Sequence, residues 1–276
     1  MPITVNTNTA ANSALTRMNA NGRKLAKTFE RLSSGLRISS ASDDAAGLGV
    51  AENLKVAAMS ARIAVRNIGD GISMIAVAEG SSAEVGSILG RMRELAVQSA
   101  SETLGDDERQ YIQDEYEQLA AEVDRIAAVT EFNGMALTDG STATVGVQAG
   151  IGATANDTID ITLGDLTATT LGVDTGSLDL STSAGAQAAL DVIDSAVGSV
   201  SAYRSQLGAS ENRLSSALNN LEVFVENTKA AESAIRDADF GEESAEMAKQ
   251  QILQQAGVAV LAQAKNLPES VIQLLQ

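Results

Sequence analysis

From Ile193 to Ile235 the chain repeats steps of three and four without a break. The run is Ile193, Ala196, Val200, Tyr203, Leu207, Ser210, Leu214, Ala217, Leu221, Phe224, Thr228, Ala231 and Ile235. Such spacing keeps one face of a helix turned toward a partner helix along its whole length. As a helix the run is about 65 Å long, far more than one compact core can cover. Small and polar members (Ala196, Ser210, Ala217, Thr228) let the partner approach closely and penalise other registers.

The same pattern recurs elsewhere. Leu54, Ala58, Ala61, Val65, Ile68, Ile72 and Ile75 make a second seam, which resumes after an apparent phase change at residues 80–82 as Val85, Ile88, Met92 and Leu95. This predicts a helix over about 43–100, with Ser42 as N-cap and Asp43 and Asp44 at the anion-favouring end of its dipole. A shorter helix over about 106–128 opens with Asp106, Asp107 and Glu108 and has Ile112, Tyr116, Leu119, Val123 and Ile126 as its seam. Both chain ends are patterned too. Leu15, Met18, Gly22, Leu25, Phe29, Leu32 and Leu36 form one terminal seam, and Leu253, Gly257, Val260, Ala264, Leu267, Val271 and Leu274 form the other. Chain ends are ordinarily the least patterned parts of a domain.

Composition supports helix seams over a thick globular centre, because aromatic residues make up only 3% of the chain although 44% is hydrophobic. The chain contains no Cys and no His, which removes thiol nucleophiles, disulfides, imidazole bases and nearly all transition-metal sites. No catalytic residue, metal or cofactor is expected. The first twenty residues lack the apolar core of a secretory signal, and no membrane-spanning stretch is expected.

Charge is unevenly placed within the net −17. Residues 1–42 carry six basic and one acidic side chain, a net +5; residues 236–276 carry three and six, a net −3; the remainder holds −19. An acidic body argues against nucleic acid as partner. In the N-terminal arm the basic residues Arg17, Arg23, Lys24, Lys27, Arg31 and Arg37 fall outside the a and d positions, on the outer face. That placement fits solvation of the face, complementarity with acidic neighbours in an assembly, or contact with a membrane surface or cell wall.

Between residues 132 and 185 Gly, Thr, Asp and Ser dominate. Alternating stretches at Thr144–Val147 and Ile159–Leu163, and the turn dipeptide Asn133-Gly134, predict short hairpins. Asp157, Asp160, Asp165, Asp174 and Asp179 have calcium-like oxygen chemistry, but their spacing fits no EF-hand loop and suits turn residues. The expected fold is mainly α: a long antiparallel helical coiled-coil rod with a small β-hairpin region in the middle of the chain.

The terminal seams constrain function. Ordering the 42 backbone units of the first arm opposes folding by more than its few large apolar side chains return, so each arm needs other helices to cover it. If identical copies supply them through a different patch, the contact repeats without closing and yields a helical filament.

The residues also resemble a known family. Leu32-Ser33-Ser34-Gly35-Leu36-Arg37-Ile38, followed by Asp43-Asp44-Ala45-Ala46-Gly47-Leu48, is similar to the N-terminal signature of bacterial flagellin. Gln251-Ile252-Leu253-Gln254-Gln255-Ala256-Gly257, then Val260-Leu261-Ala262-Gln263-Ala264 and Pro268, resembles its C-terminal signature. The chain resembles a minimal flagellin without large variable outer domains.

The resemblance implies an extracellular structural subunit, not an enzyme, that self-assembles into the flagellar filament; the hook-filament junction protein of the same family is the alternative. It implies an inner-core domain made of arms 1–42 and 236–276, and a rod domain over 43–235 with helices at about 43–100, 106–128 and 186–235 and a β region at about 132–185. Implied partners are further copies of the chain, an export chaperone on the C-terminal arm, and the filament cap and hook-junction proteins, with export lacking a cleaved signal peptide. The stretch Arg91-Met92-Arg93-Glu94-Leu95-Ala96-Val97-Gln98 resembles the segment read by animal Toll-like receptors, which implies Arg91, Glu94, Leu95, Gln98 and Glu115 as contacts. Gly90 stands where that motif usually has Gln.

Overall fold

The computed structural model of the chain describes residues 7–273, with side chains described through residue 266. Long helices dominate. In order they are α1 (Thr9–Ser34), α2 (Ala45–Ser99), α3 (Asp106–Val129), strands β1 (Glu131–Phe132), β2 (Met135–Ala136), β3 (Thr144–Gln148) and β4 (Thr158–Thr162), the single turn α4 (Ala168–Leu171), α5 (Ser183–Arg236) and α6 (Phe240–Gln273). The chain divides into two compact units, one of residues 1–58 with 226–276 and one of residues 59–225.

In the second unit α2 and α5 run antiparallel, bridged by Arg93 to Asp194 at 2.6 Å and by Arg204 to Glu79 at 2.7 Å. The α2 seam has no phase change. Positions 64, 68, 71, 75, 78, 82, 85, 89, 92, 96 and 99 are all buried, in unbroken steps of four and three. The interruption expected at residues 80–82 is absent because small and polar residues carry the seam there. Gly71, Ala78 and Ser82 belong to the seam, and Ser82 turns its hydroxyl back to the Ala78 carbonyl, which removes its need for an outside partner. Gly71 is needed for close approach: a Cβ there would stand 3.0 Å from Val147 Cγ2 and 3.4 Å from Leu214 Cδ1. By length and composition α2 could cross a membrane, and its seam residues Ile68, Ile75, Val85, Leu89 and Met92 are buried against the rest of the unit.

The N-cap of α2 is Asp44, not Ser42. Its Oδ1 accepts the Gly47 N–H at 2.9 Å, while the Ser42 hydroxyl contacts that of Ser40.

Helix α3 packs Ile112, Tyr116, Val123 and Ile126 into the core. After it, β1 and β2 pair across Asn133 (φ 52°) and Gly134 (φ 77°), the two left-handed positions a two-residue hairpin turn requires. Strands β3 and β4 pair antiparallel from Thr144 opposite Thr162 to Gln148 opposite Thr158. Val147 and Ile161 are their buried residues.

Residues 163–182 are largely irregular and are held by polar contacts. Tyr116 donates to the Val173 carbonyl at 3.0 Å, Gln113 Oε1 accepts the Leu180 N–H at 2.8 Å, and Asp124 accepts the Ala168 N–H at 2.7 Å. The carboxylates of this region serve turns. Asp157 accepts from Gly152 and Thr154, Asp165 from Thr167 and Thr170, Asp174 from Gly176 and Ser177, and Asp179 from Ser181.

Candidate assembly site

The first unit is built on the pairing of α1 with α6. Asn8 Nδ2 donates to the Ala264 carbonyl at 2.7 Å, Asn21 Nδ2 to the Gln250 carbonyl at 2.8 Å, and Arg31 pairs with Glu243 at 2.9 Å. Rising numbers on one helix meet falling numbers on the other, so the pair is antiparallel. Each helix is capped: Asn8 accepts the Ala11 N–H, Gly35 ends α1 at φ 71°, and Asp239 Oδ1 accepts the Gly241 N–H at 2.8 Å.

Backbone contacts tie the two connecting segments together. Leu36 bridges Asp237, Arg37 N–H donates to the Arg236 carbonyl at 2.7 Å, and Ala238 N–H donates to that of Gly35 at 3.0 Å. The Arg37 guanidinium donates to the Ile235 and Ala234 carbonyls, satisfying the last turn of α5. Arg236 in turn reaches Glu52 at 3.1 Å. Sequence reasoning did not find this joint. Gly35 and Asp239, a helix stop and a helix start, were the available signals.

The N-terminal cations are not all on a solvated outer face, as their heptad positions suggested. Lys27 pairs with Asp43, whose carboxylate also accepts from Ser39 and Ser40, and Arg31 and Arg37 are engaged as above. Long stems carry the charged heads around the helix to nearby carboxylates and carbonyls. The Lys27 ammonium, with Ser39 and Ser40 adding to it, holds Asp43 well below the usual carboxylate range.

Burial in the α1–α6 pair is inverted relative to an ordinary core. Its buried positions are Thr28, Glu243, Gln250 and Ala264. Of the terminal seam residues, Met18, Leu25, Leu32 and Leu36 are only half-buried, and Leu15, Phe29, Leu253 and Val260 are exposed, Phe29 at 65%. Ile252 and Val258 beside them are exposed as well. The side chains of Leu267 and Val271, and Leu274 altogether, lie outside the described residues. Large apolar side chains left exposed on both helices are candidates for an interaction surface.

In the second unit Arg91 joins Glu115 at 2.8 Å and Glu94 at 2.9 Å, on adjoining helices α2 and α3; Glu115 first, then Glu94, raises its already high pKa. Gln98 is exposed. Leu95 is 1% exposed and belongs to the core.

Two family models match the chain: the bacterial flagellin N-terminal helical region over residues 5–143 and the bacterial flagellin C-terminal helical region over residues 190–275. The chain belongs to the bacterial flagellin family. It is 43% identical to a flagellin of Halalkalibacterium halodurans, with 99% of each chain covered, and 40% identical to a flagellin of Bacillus subtilis with the same coverage. A flagellar filament core protein of Treponema maltophilum is 39% identical over 91% of this chain and 92% of its own. Among solved structures, Bacillus cereus flagellin superimposes with a TM-score of 0.50 at 30% identity, covering 56% of this chain and 88% of that one. This flagellin is thus a structural subunit of the extracellular flagellar filament and not an enzyme.

Proposed function

We propose that this flagellin polymerises through its terminal arms, residues 1–42 and 236–276, which form an inner-core domain whose apolar faces are covered by the arms of neighbouring copies. The rod domain would be residues 43–235. The carrying observation is the inverted burial of the α1–α6 pair, which hides Thr28, Glu243 and Gln250 while Leu15, Phe29, Ile252, Leu253, Val258 and Val260 face solvent. A helix pair left this way gains free energy when further helices cover it.

The test is seeded elongation of purified chain followed by electron microscopy. Fibres many times longer than the seeds are expected. Growth that stops at a short ring would favour a hook-filament junction role, and no growth would overturn the assembly reading.

The exposed row on α6 also needs cover before assembly, which suits an export chaperone on the C-terminal arm. Uncleaved export predicts that N-terminal sequencing of filament protein shows no loss of an N-terminal peptide. Filament cap and hook-junction proteins would meet the same arm surfaces. Contact with an animal Toll-like receptor would use the exposed Arg91, Glu94, Gln98 and Glu115, with Leu95 supporting them from within.

A further inference from the structure

Between α1 and α6 runs a groove of about 520 Å³. Ala14, Met18, Leu253 and Val260 supply its apolar walls, and Arg17 and Lys24 stand on its rim. Gly257 lines it with bare backbone, and the space above that backbone is free: a Cβ there would meet only Met18 Cγ, at 3.9 Å. Arg17 makes no ion pair within 4.0 Å among the described residues, whereas Lys24 also borders Glu242, Glu243 and Glu246 of its own chain and its charge helps to hold the Glu246 carboxyl below its usual range. The groove therefore offers an apolar, sulfur-bearing floor under one available cation, Arg17.

The same unit carries the complementary shape. Phe240, the first residue of α6, is 72% exposed and stands between Asp239 and Glu242, with Asp237 and Glu243 close by in sequence. Phe29, the other exposed aromatic of the unit, has a single carboxylate beside it, Glu30, which accepts from Ser39. Its neighbours Lys27 and Arg31 are cations already paired within the chain.

We propose that the groove takes Phe240 of a second copy of this chain, with Arg17 meeting the carboxylate of Glu242 beside the incoming ring. This rests on the assembly reading and names one of its contacts. An aromatic ring on a Met-lined floor is a favourable pairing, and opposite charges at the rim set the register. Groove and knob lie about 25 Å apart along α6. They cannot meet within one chain, and a contact between different patches of identical copies is heterologous and repeats. With α6 helices parallel, neighbouring copies related by this contact are offset by about the same 25 Å.

The test uses full-length chain, sheared wild-type seeds and two exposed-site variants, Arg17→Glu and Glu242→Lys, with Asp239 left intact because it caps α6. Each variant alone places like charges at every such contact, and elongation at equal concentration is expected to slow by about tenfold or more. An equimolar mixture restores every contact in an alternating order, and its rate is expected to return to within about twofold of wild type. Phe240→Ala should slow growth comparably in any mixture, with circular dichroism of the monomer unchanged. If wild-type chain elongates while either charge variant alone keeps pace with it, or if the mixture stays as slow as its components, the contact is wrong. Failure of wild-type chain to elongate would instead overturn the assembly reading and this contact with it.

Discussion

Residues 59–225 and the α1–α6 pair use the same helical repeat to opposite ends. In the first, Leu89, Met92, Tyr116 and Leu207 are sealed, and the buried polar groups Ser82 and Gln113 find partners within the unit, while the Tyr203 hydroxyl lacks one. In the second, the buried groups among the described residues are Thr28, Glu243, Gln250 and Ala264, Gln250 Oε1 lacks a donor, and Leu15, Phe29, Leu253 and Val260 are exposed while Met18, Leu25 and Leu32 are half-buried. A finished core hides what water rejects. The arm pair displays part of it, which is the kind of surface an interaction covers.

The comparison breaks most decisively under truncation. Removing residues 236–276 should abolish filament growth while leaving a soluble helical protein, measured by electron microscopy, sedimentation and circular dichroism; filaments from the truncated chain would mean that the arms do not drive assembly. A smaller change at the same surface is Leu253→Asp. It should block elongation, because assembly would bury an unpaired carboxylate, yet leave monomer helicity unaltered at an already exposed site.

The next effect separates the regions by stability. Leu89→Ala should cost about 2–5 kcal/mol in urea unfolding, whereas Leu253→Ala should cost the monomer under about 1 kcal/mol. Equal losses would erase the distinction between a closed core and an open face. The smallest effect concerns the joint. Asp43 is held below its ordinary pKa by Lys27, so its contribution is present above about pH 4, where the unfolded group is ionised, and is lost as pH falls further. Unfolding midpoints of wild type and Asp43→Asn should differ at pH 7 and converge as pH drops below about 4. A gap that stays constant with pH would detach Asp43 ionisation from the joint.

Much of this architecture is legible in residue order, and the exceptions have physical causes. Asn133-Gly134 marks its hairpin because few residues tolerate two successive left-handed positions. The alternations at 144–147 and 159–163 mark β3 and β4 because successive side chains of a strand point to opposite faces. Small or polar seam members hide from hydrophobicity. Gly71, Ala78 and Ser82 carry the α2 seam through the place where Leu and Ile alone suggest a phase change. Pins such as Gln113 to Leu180 and Tyr116 to Val173 join residues far apart in sequence, and nothing local announces them.

The candidate site follows the same division. Spacing identifies Leu15, Met18, Phe29, Leu253 and Val260 as seam residues, since a helical period depends only on positions along one chain. It does not tell which side of a helix its own chain will cover. That choice was made in three dimensions, where Arg31 with Glu243, Asn21 with the Gln250 carbonyl, and the joint of Leu36 with Asp237 orient α6 against α1. Period is a property of the backbone helix and is written locally. Facing depends on which distant groups find each other, and here it left Leu253 and Val260 exposed.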